Sequence, residues 1–114
     1  MRPVMLHAPQ AARMFKILSV QTRLRLLELL RGRTLCVNAL SANLGVTPAA
    51  VSQHLRVLRE ADLVRAEKRG YHVHYQLNER TLAAWGRLAA ELLAPPAAPG
   101  SGPGEGPPPP GSAP

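Results

Sequence analysis

The residue types able to do chemistry are few in this chain of 114 residues, which holds four histidines, one cysteine and seven carboxylates. His72 and His74 stand two apart in a run that reads as a strand, so both rings project from one face, as a bidentate pair for a metal ion must. Cys36 is the lone thiol, which excludes an internal disulfide and fits a reducing compartment. A single thiolate does not build a soft-metal site, and a free cysteine of this kind reads as a small buried hydrophobe. No nucleophile with a base, no acid/base pair and no phosphate-cradling glycine loop occurs at meaningful spacing, so enzymatic activity is not expected.

A second constellation points to nucleic acid. At about 100° per residue, Val51, Leu55 and Leu58 fall in one narrow stripe of a helix. Ala49, Ser52, Gln53, Arg56 and Arg59 lie beside it, mixing small residues that permit close approach with donors and cations that read base edges and phosphates. Thr47-Pro48 starts that helix with a capping hydroxyl and a proline at the first helical position. Lys68 and Arg69 follow at the tip of a hairpin, placed there to reach phosphates or the adjacent minor groove. Thr47, Pro48, Ala49, Ser52, Gln53, Arg56, Lys68 and Arg69 are therefore the expected DNA contacts. The charge agrees: the chain is +7, and residues 1–93 alone carry 14 basic and 6 acidic side chains, or +8. Such an excess favours a polyanionic partner, because cations set against phosphates release condensed counterions.

These groups need elements to hold them. Pro9–Leu18 reads as a short helix with Ala12, Phe15, Ile17 and Leu18 apolar. Ser19 both ends it and caps a second helix running to about Arg31, with Leu24, Leu27 and Leu30 inward and Arg23, Arg25 and Glu28 outward. A third helix spans Val37–Leu44 and stops at Gly45, and the fourth runs from Pro48 to about Ala61. Leu63–Lys68 and Tyr71–Leu77 form a hairpin around Arg69-Gly70, with Tyr71, Val73, Tyr75 and Leu77 on the core face and His72, His74 and Gln76 on the wet one. Asn78 caps a last helix with a Leu82, Trp85, Leu88, Ala89 and Leu92 stripe. The expected fold is mainly α with a small β-hairpin, a winged helix-turn-helix in the order ααααββα. After Leu93 the composition changes abruptly: residues 94–114 hold nine of the twelve prolines and five of the nine glycines. Two units follow, a folded domain over 1–93 and a disordered Pro/Gly-rich tail over 94–114. With no secretory-type apolar core near Met1 and no long apolar run, a cytoplasmic location without membrane association is expected.

Three blocks together resemble the ArsR/SmtB regulators: LSVQTRLRLLELL from Leu18 to Leu30, VSQHLRVLREADLV from Val51 to Val64, and GYHVHYQL from Gly70 to Leu77. The similarity covers about residues 10–93. It implies transcriptional control through an imperfectly palindromic operator, commonly repression relieved by a metal or another chemical signal. It also implies a homodimer built from the first and last helices. Phe15 and the Trp85/Leu88/Leu92 stripe agree, being more apolar surface than a core of this size requires. His54 occupies a place where histidine is common in the family, and reads as structural.

The sensor departs from the family. Many relatives open the third helix with Cys-Val-Cys. Here Leu35-Cys36-Val37-Asn38-Ala39 keeps the first thiol, sets Asn38 in the second position and Ala39 in the usual acidic one. Zinc-sensing relatives use the last helix, where Glu79 keeps the first acid while Thr81, Leu92 and Pro95 replace the other ligands. Candidate ligands are then His7 with Glu79 or Glu91, and His72 with His74. Nitrogen and oxygen donors suit nickel first, then zinc or cobalt. A regulator that senses redox state or a small molecule, and an interaction module that binds a protein partner through the Pro-rich tail, are the alternatives.

Overall fold

The computed structural model describes residues 8–96. His7 and most of the Pro-rich segment lie outside them. The elements are α1 (Ala8–Leu18), α2 (Gln21–Leu29), β1 (Leu35–Cys36), α3 (Val37–Leu44), α4 (Pro48–Glu60), β2 (Val64–Arg69), β3 (His72–Leu77) and α5 (Glu79–Leu93). The expected order of five helices and a hairpin is present, with one strand added. β1 pairs antiparallel with β3, giving a three-stranded sheet in the order β1-β3-β2. Two residues are too few for a periodicity to announce, and only the approach of β3 makes them a strand.

The core is aliphatic. Leu26, Leu30, Leu40, Leu44, Val51, Leu55, Leu58, Leu63 and Val64 form one buried cluster, with Trp85, Leu82, Tyr75 and Leu77 packed half-buried against it. Two helical faces differ from expectation. In α1 the buried residues are Ala11 and Met14, whereas Ala12 and Phe15 are exposed. In α2 and its C-cap, Leu26 and Leu30 are buried, Leu27 is half-buried, and Leu24 is 49% exposed. With five leucines between Leu24 and Leu30, adjacent helical faces are equally apolar, so docking against α3 and α4 decides which faces inward. Arg23, expected outside, is half-buried for the same reason.

The caps set the joints. Ser19 ends α1 by donating its hydroxyl to the Lys16 carbonyl at 2.9 Å, but it does not cap α2, whose N-cap is Val20. Gly45 closes α3 with φ +70, a left-handed conformation suited to glycine. The Ser41 hydroxyl donates to the Val46 carbonyl across that turn. Asp62 also adopts a left-handed φ of +65, and Leu63 N–H and Asp62 N–H donate to Leu58 and Arg59 carbonyls at 2.9 Å each. This is a Schellman ending with aspartate where glycine is usual, held by the Thr81 hydroxyl, which donates to Asp62 Oδ2 at 3.1 Å. Asn78 occupies the N-cap of α5 and is buried, but its side chain makes no capping bond.

Candidate nucleic-acid interface

Thr47 Oγ1 accepts from the Ala50 N–H at 3.1 Å and Pro48 takes the first turn, so α4 begins where the sequence signals place it. Val51, Leu55 and Leu58 are at most 1% exposed. They pin one side of α4 to the core and turn the other outward. Ala49, Ser52, Gln53, Arg56 and Arg59 are all exposed along it. His54, on the flank, accepts from Arg23 Nε at its Nδ1.

The outward face is partly self-neutralised. Arg56 Nε lies 3.4 Å from Glu60 Oε2, with both side chains about two-thirds exposed or more. Arg59 has no such partner among the described residues. Beside this face a cleft of about 470 Å³ runs between α4 and the sheet, lined by Ser52, Leu55, Arg56, Arg59, Glu60 and Tyr75. The hairpin therefore stands next to the exposed face of α4, as a wing must if one ligand is to touch both.

The wing itself is shifted by one residue from expectation. Arg69 pairs with His72 and Lys68 with Val73, so the turn is Gly70-Tyr71 and not Arg69-Gly70. Gly70 has φ +62 and Tyr71 does not have positive φ, as a two-residue turn with glycine first requires. Lys68 and Arg69 consequently lie on the β2 arm rather than at its tip, and Arg69 Nη2 is 3.1 Å from Glu67 Oε1. Tyr71 is fully exposed and Val73 is exposed, so only Tyr75 and Leu77 of the four expected core-facing residues pack inward. The hairpin projects beyond the core, and alternation there has nothing to bury against.

Among the described residues the expected metal ligands do not meet in one cluster, and His7 lies outside those residues. Register puts Cys36, His74 and Glu67 in one row across the three strands, with His72 further along the same face as His74. His74 Nδ1 is enclosed and has no hydrogen-bond partner among the described residues. Glu79 and Glu91 are both exposed on α5, and twelve residues of helix separate them by about 18 Å, too far for one ion within one protomer. Among the described residues, no three His, Cys, Asp or Glu side chains converge as a metal site. Cys36 is half-buried at the N-cap of α3. The Arg23–His54 contact was not legible in the sequence, and Tyr71, expected on the core face, stands in solvent at the turn. Placing Gly70 first in its turn is the signal that would have found Tyr71.

A capped helix with an open polar face, a preceding helix joined by a tight turn and a cationic hairpin alongside define a winged helix-turn-helix protein. Residues 21–66 match the sequence profile described as bacterial regulatory protein, arsR family. The arsenical resistance operon repressor of Bacillus subtilis is 38% identical over 80 residues, 68% of this chain and 73% of that protein. A transcriptional repressor SmtB homolog from Synechocystis is 41% identical over 70 residues, 61% of this chain, and only 53% of its own length is spanned. Among solved structures, the transcriptional regulator HlyU from Vibrio vulnificus superposes with a TM-score of 0.62 at 31% identity, covering 75% of this chain and 91% of that one. The chain belongs to the ArsR family of bacterial regulatory proteins. No described helix is long and apolar enough to cross a membrane.

Proposed function

We propose that the chain is a homodimeric, sequence-specific DNA-binding repressor and not an enzyme. The observation that carries this reading is α4, buried by Val51, Leu55 and Leu58, with Ser52, Gln53, Arg56 and Arg59 open to solvent beside the wing. In a major groove that face reaches base edges, while Thr47, Pro48 and Ala49 bring the N-terminal turn of the helix, with its positive dipole end, against the backbone. Lys68 and Arg69 supply phosphate contacts from the wing. Selection from a randomised duplex pool, followed by gel shift on the chain's own promoter, tests it. An imperfect palindrome is expected, and recovery of no preferred sequence contradicts it. The domain proposed over residues 1–93 suffices for this, so removing residues 95–114 leaves operator affinity unchanged. Loss of regulation with binding intact assigns a protein partner to the tail.

A metal ion is the proposed signal, supported by kinship with a repressor named for arsenical resistance. The sole thiol directs the choice away from thiophilic metals and towards nickel, then zinc or cobalt, with nitrogen and oxygen ligands. His72 and His74 share a strand face and form one candidate pair; His7 with Glu79 or Glu91 forms the other, completed across a dimer. Calorimetry with each metal on the purified protein tests this, with affinity unchanged in Cys36→Ser. Binding weaker than about 100 μM for all three ions, short of the micromolar range near −8 kcal/mol, replaces the metal by a redox or small-molecule signal.

A further inference from the structure

Tyr71 is 101% exposed, the most exposed large apolar side chain among the described residues. It contributes nothing to the core, and the turn needs glycine only at position 70. The chain has only four aromatic residues, and one of them stands in water at the outermost point of the molecule's wing. Its neighbours on the hairpin, Lys68, Arg69 and His72, are all exposed, and the nearest carboxylate along the arm, Glu67, is engaged with Arg69. Four residues back along β3, about 13 Å of strand, Tyr75 lines the cleft it shares with Ser52, Arg56 and Arg59. The tip is thus an aromatic ring among cations, held one strand length beyond the exposed face of α4.

We propose that Tyr71 is a DNA-contact residue that enters the minor groove next to the major-groove site of α4 and favours A·T over G·C pairs there. This rests on the DNA-binding reading above and adds a residue and a base preference to it. A minor groove about 6 Å wide admits a ring edge-on, and its A·T floor offers only the acceptors A N3 and T O2, to which a phenol O–H donates. A G·C pair adds the G N2 amino group, which blocks the same approach. The contact carries no charge, so it displaces no counterion, unlike that of Lys68. Apolar burial of part of the ring and one hydrogen bond make Tyr71 worth about tenfold in affinity.

The test uses the full chain, Tyr71→Ala and Tyr71→Phe on the duplex that the full chain selects from a randomised pool. Tyr71→Ala is expected to bind about tenfold more weakly with an unchanged slope of log K against log salt. Hydroxyl-radical protection of the flanking minor-groove sugars disappears in it, while major-groove protection stays. Tyr71→Phe keeps that protection and loses much of the discrimination against G·C at the flank. Equal affinity and an unchanged footprint for Tyr71→Ala overturn the proposal and leave the DNA-binding reading standing. If the full chain selects no duplex, both fall. A melting temperature equal to that of the full chain confirms that each variant is folded.

Discussion

Arg23 Nε donates to His54 Nδ1 across 3.3 Å, and Arg23 Nη1 donates to the Ile17 carbonyl at the same distance. One guanidinium in the first turn of α2 therefore joins the end of α1 to the middle of α4. Its fork geometry suits this, because two separate N–H groups serve two elements at once. For the bond to form, His54 must present Nδ1 without a proton. The contact is partly buried, so deleting one partner strands the other. Arg23→Ala and His54→Ala are each expected to lower stability by about 1 kcal/mol, and the double variant to reveal a coupling of about 0.5–1.5 kcal/mol. Denaturant unfolding of the four proteins measures it; strict additivity shows the contact to be incidental.

On the same helix, Arg56 is shared between Glu60 and its proposed DNA role. Gln53→Ala and Arg56→Ala should each weaken specific binding by about 1–3 kcal/mol if they read bases. Glu60→Gln should do the reverse. It releases Arg56 and removes a negative charge from beside the phosphates, raising affinity severalfold while leaving stability within about 0.5 kcal/mol, since exposed i,i+4 pairs add little. Weaker binding by Glu60→Gln would falsify this view of the pair.

The two wing cations are predicted to differ. Lys68 has no ion-pair partner among the described residues, whereas Arg69 is engaged with Glu67. Lys68→Ala is expected to reduce the salt slope by about 0.9, the value for one phosphate. Arg69→Ala, which also frees Glu67 to repel the backbone, should reduce overall affinity at least as much. Titrations from 50 to about 200 mM salt separate the two, and a slope unchanged in Lys68→Ala removes that residue from the backbone contact.

No residue of α5 is fully buried, although Trp85, Leu88 and Leu92 are half-buried and Leu93 is 70% exposed. A cleft of about 600 Å³ between α1, α4 and α5 is lined by Met14, Ile17, Val57, Trp85 and Leu88. The expected dimer covers this face. Leu88→Arg then places two charges in an interface that symmetry uses twice, and light scattering should show one chain where the parent shows two. A parent of single-chain mass at tens of micromolar contradicts the assignment.

Asp62 offers a check on the frame itself. Asp62→Ala removes the acceptor of Thr81 and leaves a left-handed backbone without a tolerant side chain, so it should cost about 1–2 kcal/mol. Asp62→Gly relieves the backbone while losing the same bond and should cost distinctly less. Equal losses in the two variants would show that the hydrogen bond alone matters.

Local chemistry was enough to place α3, α4 and the exposed face of α4. Gly45, Thr47-Pro48 and the Val51/Leu55/Leu58 stripe act within a few residues of themselves, so their consequences are legible along the chain. The three blocks resembling the ArsR/SmtB regulators pointed to the same fold through their resemblance. The phase of α2 was not legible, because a helix of nearly continuous leucine has no preferred face until α3 and α4 offer one. Nor was β1, which exists only through its partners Tyr75 and His74. The wing turn moved by one residue because strand pairing, not the position of Gly70 alone, decides which two residues are left to close it. Arg23 and His54 stand 31 residues apart, and only packing of α2 against α4 brings a donor to an acceptor. Residue types and short spacings thus determined which helix faces outward; long-range docking decided which leucines, cations and aromatic rings remained outside with it.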